Sequence, residues 1–425
     1  MTSPHPRTAR RAWSTAGFAM SLSALAACAA PTPDGSASAA PGNGGPAAAR
    51  SADPFDVPID GVDADEEQAF FAGDDLFDLP LREADGLGPL YTRSSCGACH
   101  DNGTRGPGSV RKMAVVLADR VTPAPDQSAL AWGASVRPLC AAGAKTPILP
   151  PDDPAVRISI RVGASILGRG YLEAVEESEI LRVAAEQAER SDGIHGRVNH
   201  VVYASEPNPD PTFNAHRKGD PVIGRFGLKA RIATLDEFAA DALQSDMGIT
   251  SPLRPVELPN PDGLTDDDKP GIDVTADSVN HRAMYMRLSA IPRRPAQDDA
   301  GRALFERAQC AACHVPALRT RADYPVALLA GIDAPIFTDV LVHDMGDELA
   351  DGVVDGEAGS RQWRTAPLIG LRFNKMYLHD GRAHTVEEAI VLHGAQGSEA
   401  AGSVALFQAL SPSDHDALLD FVSAL

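Results

Sequence analysis

Basic residues are scarce in this sequence: 38 Lys and Arg stand against 58 Asp and Glu, for a formal charge of −20. A chain so acidic is a poor partner for nucleic acid or for anionic membrane surfaces, and a basic protein is its natural complement. Aromatic residues are scarce too, at 5% against 44% hydrophobic overall. The chain is apolar enough to be globular but thin in bulky side chains, so a large bound apolar group would supply core volume. Hydrophobic runs are short after residue 27, none approaching the roughly 20 apolar residues that cross a bilayer. At 425 residues the length suits two or three domains.

What is present begins with export. Arg7, Arg10 and Arg11 precede an apolar stretch from Ala12 to Ala27, the layout of a signal peptide. It ends in Leu25-Ala26-Ala27-Cys28, which resembles the bacterial lipobox. Residues 1–27 are therefore expected to be a lipoprotein signal, with Cys28 the lipidated first mature residue. The alternative is an ordinary signal cut after a small residue. Residues 28–58, rich in Ala, Pro, Gly and Ser, follow as a flexible tether. The expected location is the periplasm or cell envelope, with membrane attachment through the lipid alone.

Four of the six cysteines form two Cys-x-x-Cys-His motifs, Cys96-Gly-Ala-Cys99-His100 and Cys310-Ala-Ala-Cys313-His314. A disulfide would not explain a histidine directly after each second cysteine. A four-cysteine zinc site would leave both histidines idle. Covalent haem attachment uses every residue: both thiols add to the haem vinyl groups, and the adjacent imidazole becomes the proximal iron ligand. The chain is thus expected to be a cytochrome carrying two haem c groups. Cys140 belongs to neither motif and suits a small buried apolar position. The sequence marks no ligands for a calcium ion, which the composition nonetheless allows.

The expected architecture is mainly α: two class I cytochrome c-type domains, residues 59–292 and 293–425, the first with a long loop-rich insertion containing short β-strands. A helix near Asp63–Phe77 leads toward the first motif. Val156 to Val162 alternates strictly and predicts a strand. Asp298 and Asp299 can cap a helix carrying Ala300, Leu304, Phe305 and Ala308 into the second motif. Ser411-Pro412-Ser413-Asp414 opens a terminal helix whose Leu418, Phe421, Val422 and Leu425 share one face. The two haem modules look like a divergent internal repeat.

Other segments resemble the bacterial di-haem oxidoreductase family, whose members are labelled thiol oxidoreductases or peroxidases. They are Gly86-Leu87-Gly88-Pro89-Leu90, Gly224 to Ala230, Asp246-Met247-Gly248-Ile249-Thr250, His343-Asp344-Met345-Gly346, Arg364-Thr365-Ala366-Pro367 and Leu378 to Ala383. The resemblance covers roughly residues 60–425. It extends more distantly to the di-haem cytochrome c peroxidases and to the di-haem enzyme that matures methylamine dehydrogenase. In those relatives a His-Asp-Gly turn, here His379-Asp380-Gly381, precedes a helix supplying the second haem's distal ligand. The matching position is His393, on a helix opening with the capping box Thr385–Glu388; Met376 is the rival. Paired imidazoles would give a lower potential than a His/Met pair.

No histidine occurs between His100 and His195, so the first iron is either five-coordinate or closed by a remote residue: Met247, His195 or His200. An open iron is what peroxide needs. The resemblance further implies Glu173, in Gly168-Arg169-Gly170-Tyr171-Leu172-Glu173, as a proton-moving base, and Trp132 as an electron relay; each is equally suited to surface or packing roles. The implied activity is a peroxidase-like reaction. Electrons from a small periplasmic donor, a basic cytochrome or cupredoxin, enter at the C-terminal haem, and hydrogen peroxide reacts at the N-terminal one. The alternatives are a pure di-haem electron carrier and an enzyme oxidising a thiol or organic substrate.

Overall fold

The computed structural model describes residues 57–100, 109–116, 121, 130–264, 269–294 and 299–425. The expected signal peptide, Cys28 and nearly all of the tether lie outside the described residues. None of the described helices is long and apolar enough to cross a membrane.

Helix α1 (Ala64–Asp78) starts at Asp63, whose carboxylate accepts from Glu66 N while the Glu66 side chain accepts from Asp63 N. Strand β1 (Leu90–Tyr91) pairs with β3 (Leu139–Cys140), and β2 (Ser109–Val115) with β4 (Val156–Val162). Next come α2 (Arg169–Ala174), α3 (Glu177–Ala188), the pair β5 (His200–Val202) and β6 (Pro221–Ile223), α4 (Leu235–Met247) and α5 (Ala276–Leu288). The C-terminal part holds α6 (Asp299–Arg307), the pairs β7 (Leu318–Arg319) with β8 (Asp333–Ala334) and β9 (Val342–Asp344) with β10 (Gln362–Arg364), then α7 (Val386–Leu392), α8 (Ala401–Gln408) and α9 (Pro412–Ser423). All five sheets are two-stranded and antiparallel, so the chain is a mixture of helices and small sheets rather than mainly α. The stretch expected to be loop-rich contains four helices. Thr234 and Thr275 cap α4 and α5, accepting from Glu237 N and Ser278 N, and Gly248 ends α4 in the left-handed region.

Two helix crossings share a packing detail. In α1, a methyl group on Gly73 would overlap the His281 carbonyl of α5, and Phe77 packs on Tyr285 at 5.0 Å between ring centroids. In α6, a methyl group on Gly301 would come 2.6 Å from the Ala417 carbonyl of α9, and Phe305 packs on Phe421 at 5.5 Å. Both crossings thus pack at a Gly-x-x-x-Phe pair, Gly73 with Phe77 and Gly301 with Phe305. Truncating Phe305 to Ala would cost about 3–5 kcal/mol. The second module has its own core of Leu304, Phe305, Leu418, Phe421 and Val422. The larger core runs through both halves of the chain, from Phe70 and Leu172 to Leu341 and Ile369.

Strand β4 buries its polar face. Ser159 and Arg161 are buried, while Ile158 and Ile160 are exposed. The reason is electrostatic: Ser159 donates to Asp351 at 2.8 Å, and Arg161 donates to Asp351 at 2.9 Å and Asp355 at 2.8 Å.

Candidate functional site

The chain folds each motif into one tight turn. His100 N donates to the Cys96 carbonyl and His314 N to the Cys310 carbonyl, both at 2.9 Å. The first turn is hung from α1, since Cys96 N and Gly97 N both donate to the Phe77 carbonyl. Cys96, Cys99 and His100 then line one cavity. Cys310, Cys313 and His314 line a second, larger one. The two cysteine pairs therefore do not meet, and no four-cysteine zinc site forms. None of these four cysteines is in a disulfide. Burial pushes all four thiols up, Cys99 to about 11 and Cys310 to about 12, which disfavours the thiolates a metal site or nucleophile would need.

The histidines are oriented alike. His100 Nδ1 is 2.9 Å from the Ala164 carbonyl, and His314 Nδ1 is 3.2 Å from the Phe337 carbonyl. A carbonyl only accepts, so Nδ1 carries the proton and Nε2 keeps its lone pair, the tautomer of a metal-ligating imidazole. Burial lowers both rings to about 4, so both are neutral. A thiol pair beside such an imidazole, lining one and the same apolar cavity, fits haem in both places.

Other side chains distinguish the two cavities. His393, at the C-terminal end of α7, lines the second together with His314, and its Nδ1 is 2.6 Å from the Ala389 carbonyl. The capping box expected at Thr385 and Glu388 starts that helix. Met376 does not line the second cavity; Met345 does. In the first, His100 is the only histidine among the described residues of the wall, which also holds Met247 and Met286. His195 and His200 are exposed and line neither cavity. Their side chains serve local contacts, His195 Nδ1 at 3.1 Å from the Gln187 carbonyl and His200 Nδ1 at 2.9 Å from Glu357.

Two expected roles need correction. Glu173 reaches neither cavity. It is buried and receives Arg287 Nε at 2.7 Å, Tyr324 Oη at 2.7 Å and Leu235 N at 2.8 Å. Burial alone would raise its carboxyl, but the Arg287 guanidinium outweighs this and holds it below the usual range. Arg287 also pairs with Asp236. Glu173 is therefore an ionised structural anchor that pins α2. Trp132 is 40% exposed and lines neither cavity, so it cannot stand between the haems. Trp363 is the tryptophan of the second cavity wall. It stacks on His379 at 3.8 Å between centroids, with Lys229 Nζ 4.0 Å from its ring. Cys140 is half-buried in β3, packed against the cluster of Leu90, Met113, Val136 and Ile148.

The structure adds residues that sequence reasoning passed over. Asp246 is the only carboxylate among the described residues of the first cavity wall, and burial raises its carboxyl. Beside Cys313, His343 is clamped by Asp339 at 2.9 Å and Glu399 at 2.8 Å. Burial opposes its charge, but Asp339 prevails, so the ring is held well above its usual range as an imidazolium. Ala164, Ser165, Arg169 and Arg364 line both cavities and form their common wall.

A family model described as "Di-haem oxidoreductase, putative peroxidase" matches residues 149–425. No curated protein matches. Among solved structures, the chain is similar to a MauG-like protein associated with microbial copper homeostasis, at 15% identity and a TM-score of 0.38, over 87% of this chain and 92% of that one. It is similar to the diheme peroxidase BthA from Burkholderia thailandensis at 13% and 0.38, over 84% and 86%. The hydrazine synthase of Kuenenia stuttgartiensis follows at 12% and 0.36, over 84% and 87%.

Proposed function

The chain belongs to the di-haem oxidoreductase family, and from that premise we propose that it is an exported, peroxidase-like c-type cytochrome whose two haem sites do different work. Cys96 and Cys99 would hold one haem covalently, with His100 to ligate its iron; Cys310, Cys313 and His314 would hold the other in the same way. When bound, such a haem supplies one-electron chemistry, and an open iron supplies a place for peroxide.

The observation that carries this reading is the unequal histidine content of the two walls. His393 shares the second cavity with His314 and is the group to close that iron, leaving the site to accept electrons. The first cavity offers no second histidine among the described residues. His100 is fixed there by Ala164, and Asp246 is placed to hold a proton at its carboxyl and exchange it with a substrate oxygen. An external one-electron donor, a small basic protein suited to the acidic chain, would serve the second site. The lipid anchor at Cys28 would keep the molecule at the periplasmic face of a membrane.

The thioethers of Met247 and Met286 favour a second reading, in which a methionine closes the first iron and the protein only carries electrons. Purified protein, counted for covalent haem and assayed for reductant-dependent loss of hydrogen peroxide, decides between them. Two haems per chain with turnover support the enzyme. Two haems without turnover support the carrier, and fewer than two refute both.

A further inference from the structure

Among the described residues, Trp363 is the one tryptophan in the wall of either cavity. It is buried, and two cations lie over its ring, Lys229 Nζ at 4.0 Å from the centroid and the Arg161 guanidinium at 5.6 Å. Lys229 is itself fully buried. The carbonyls of Gly359 at 2.7 Å and Gln362 at 2.9 Å fix its ammonium, with Asp351 at 3.3 Å. The loop that carries it is tied to β10, since Arg364 N donates to the Leu228 carbonyl at 2.9 Å. The indole is held elsewhere by its stack on His379 at 3.8 Å and by a hydrogen bond from Nε1 to the Leu349 carbonyl at 2.9 Å. Burial depresses Lys229 to about 8, so the ammonium keeps its charge at pH 7. Taking a cation out of water is expensive, and packing alone does not require one here.

Tryptophan is an oxidisable side chain, and an electron leaving it puts positive charge on the ring. The attraction between Lys229 and the neutral ring then becomes repulsion. The indole could relax by giving up its N–H proton to a base, but the Leu349 carbonyl is no base and leaves the proton in place. We propose that Lys229 shields Trp363 from oxidation, so that an oxidising equivalent left in the chain by peroxide is kept off the second cavity wall until the external donor supplies an electron. This rests on the peroxide-reducing, two-haem reading above. The damage avoided is the transfer of one oxygen of hydrogen peroxide to an indole carbon. The O–O bond breaks, a ring C–H becomes C–OH and water leaves, the indole losing the two electrons that peroxide gains.

The test exposes haem-loaded protein to hydrogen peroxide without a reductant. Peptide mass spectrometry then gives the fraction of Trp363 that has gained one oxygen, with Trp132 at the surface as the reference for general peroxide damage. Trp363 should stay largely intact in wild type and in K229R. In K229Q, at equal haem content, its hydroxylated fraction should rise on the order of tenfold. Should K229Q not fold, wild type at pH 9.5 against pH 7 removes the same charge and should show the same rise. The other charged or titratable groups around Lys229 keep their states across that range: Arg161 is held above its usual value, Asp351 and Asp355 below theirs, and His379 is lowered to about 4. Equal hydroxylation with and without the charge, or a rise in K229R matching that in K229Q, overturns the shield; where two covalent haems are present and peroxide is consumed, it leaves the two-haem reading intact. A wild-type chain with fewer than two haems, or one that consumes no peroxide, overturns that reading and the shield with it.

Discussion

His100 Nδ1 lies 2.9 Å from the carbonyl oxygen of Ala164, and Ala164 faces the second cavity as well as the first. One hydrogen bond and one peptide unit therefore separate His100 of the first cavity from the wall of the second.

If Glu173 is an anchor rather than a base, E173Q should lower stability and spare the haem spectra. Removing one partner of a buried ion pair costs about 3–5 kcal/mol, because Arg287 loses a carboxylate while remaining buried. Thermal unfolding of the variant should begin several degrees below wild type. Unchanged stability with abolished peroxide turnover would return Glu173 to the catalytic machinery.

Asp246 is the group placed to move a proton in the first cavity. D246N should cut peroxide turnover on the order of 10²–10⁴-fold, with haem content and both midpoints near wild type. Full turnover in that variant would exclude the role.

Lys229 gives a pH signature. Burial depresses its ammonium from 10.5 to about 8, against the attraction of Asp351. Between those values the unfolded chain holds a proton that the fold has released, so the contribution of Lys229 to stability rises with pH across the window and is lost as pH falls to 8. Chemical denaturation at pH 8 and pH 10 should show a steeper gain for wild type than for K229M. Parallel slopes would contradict the assignment.

Much of the site was legible because its chemistry is written in contiguous residues. The two haem motifs, the capping box before His393, the β4 alternation and the terminal apolar face all appear where local pattern places them. What failed depends on contacts distant in sequence. Asp236, Glu237, Asp241 and Gln244 of α4 are buried, an arrangement no amphipathic pattern signals, because Arg231, Arg254 and Arg287 meet three of them from elsewhere. Glu173 looked catalytic in a glycine-rich segment, yet its partner Arg287 stands 114 residues away. Arg169 and Arg364 became notable only when the fold set both into one wall. The Asp246-Met247 segment was singled out for its methionine, and only the cavity lining brings its carboxylate forward.

The claim at the centre is that the two irons differ, the first open and the second closed by His393. Electron paramagnetic resonance of the fully ferric, haem-loaded protein tests it most directly, with H393A measured alongside. One high-spin and one low-spin signal are expected in wild type, with the low-spin signal converted to high-spin in H393A and the other unchanged. Two low-spin signals in wild type, or a low-spin signal untouched in H393A, would contradict it.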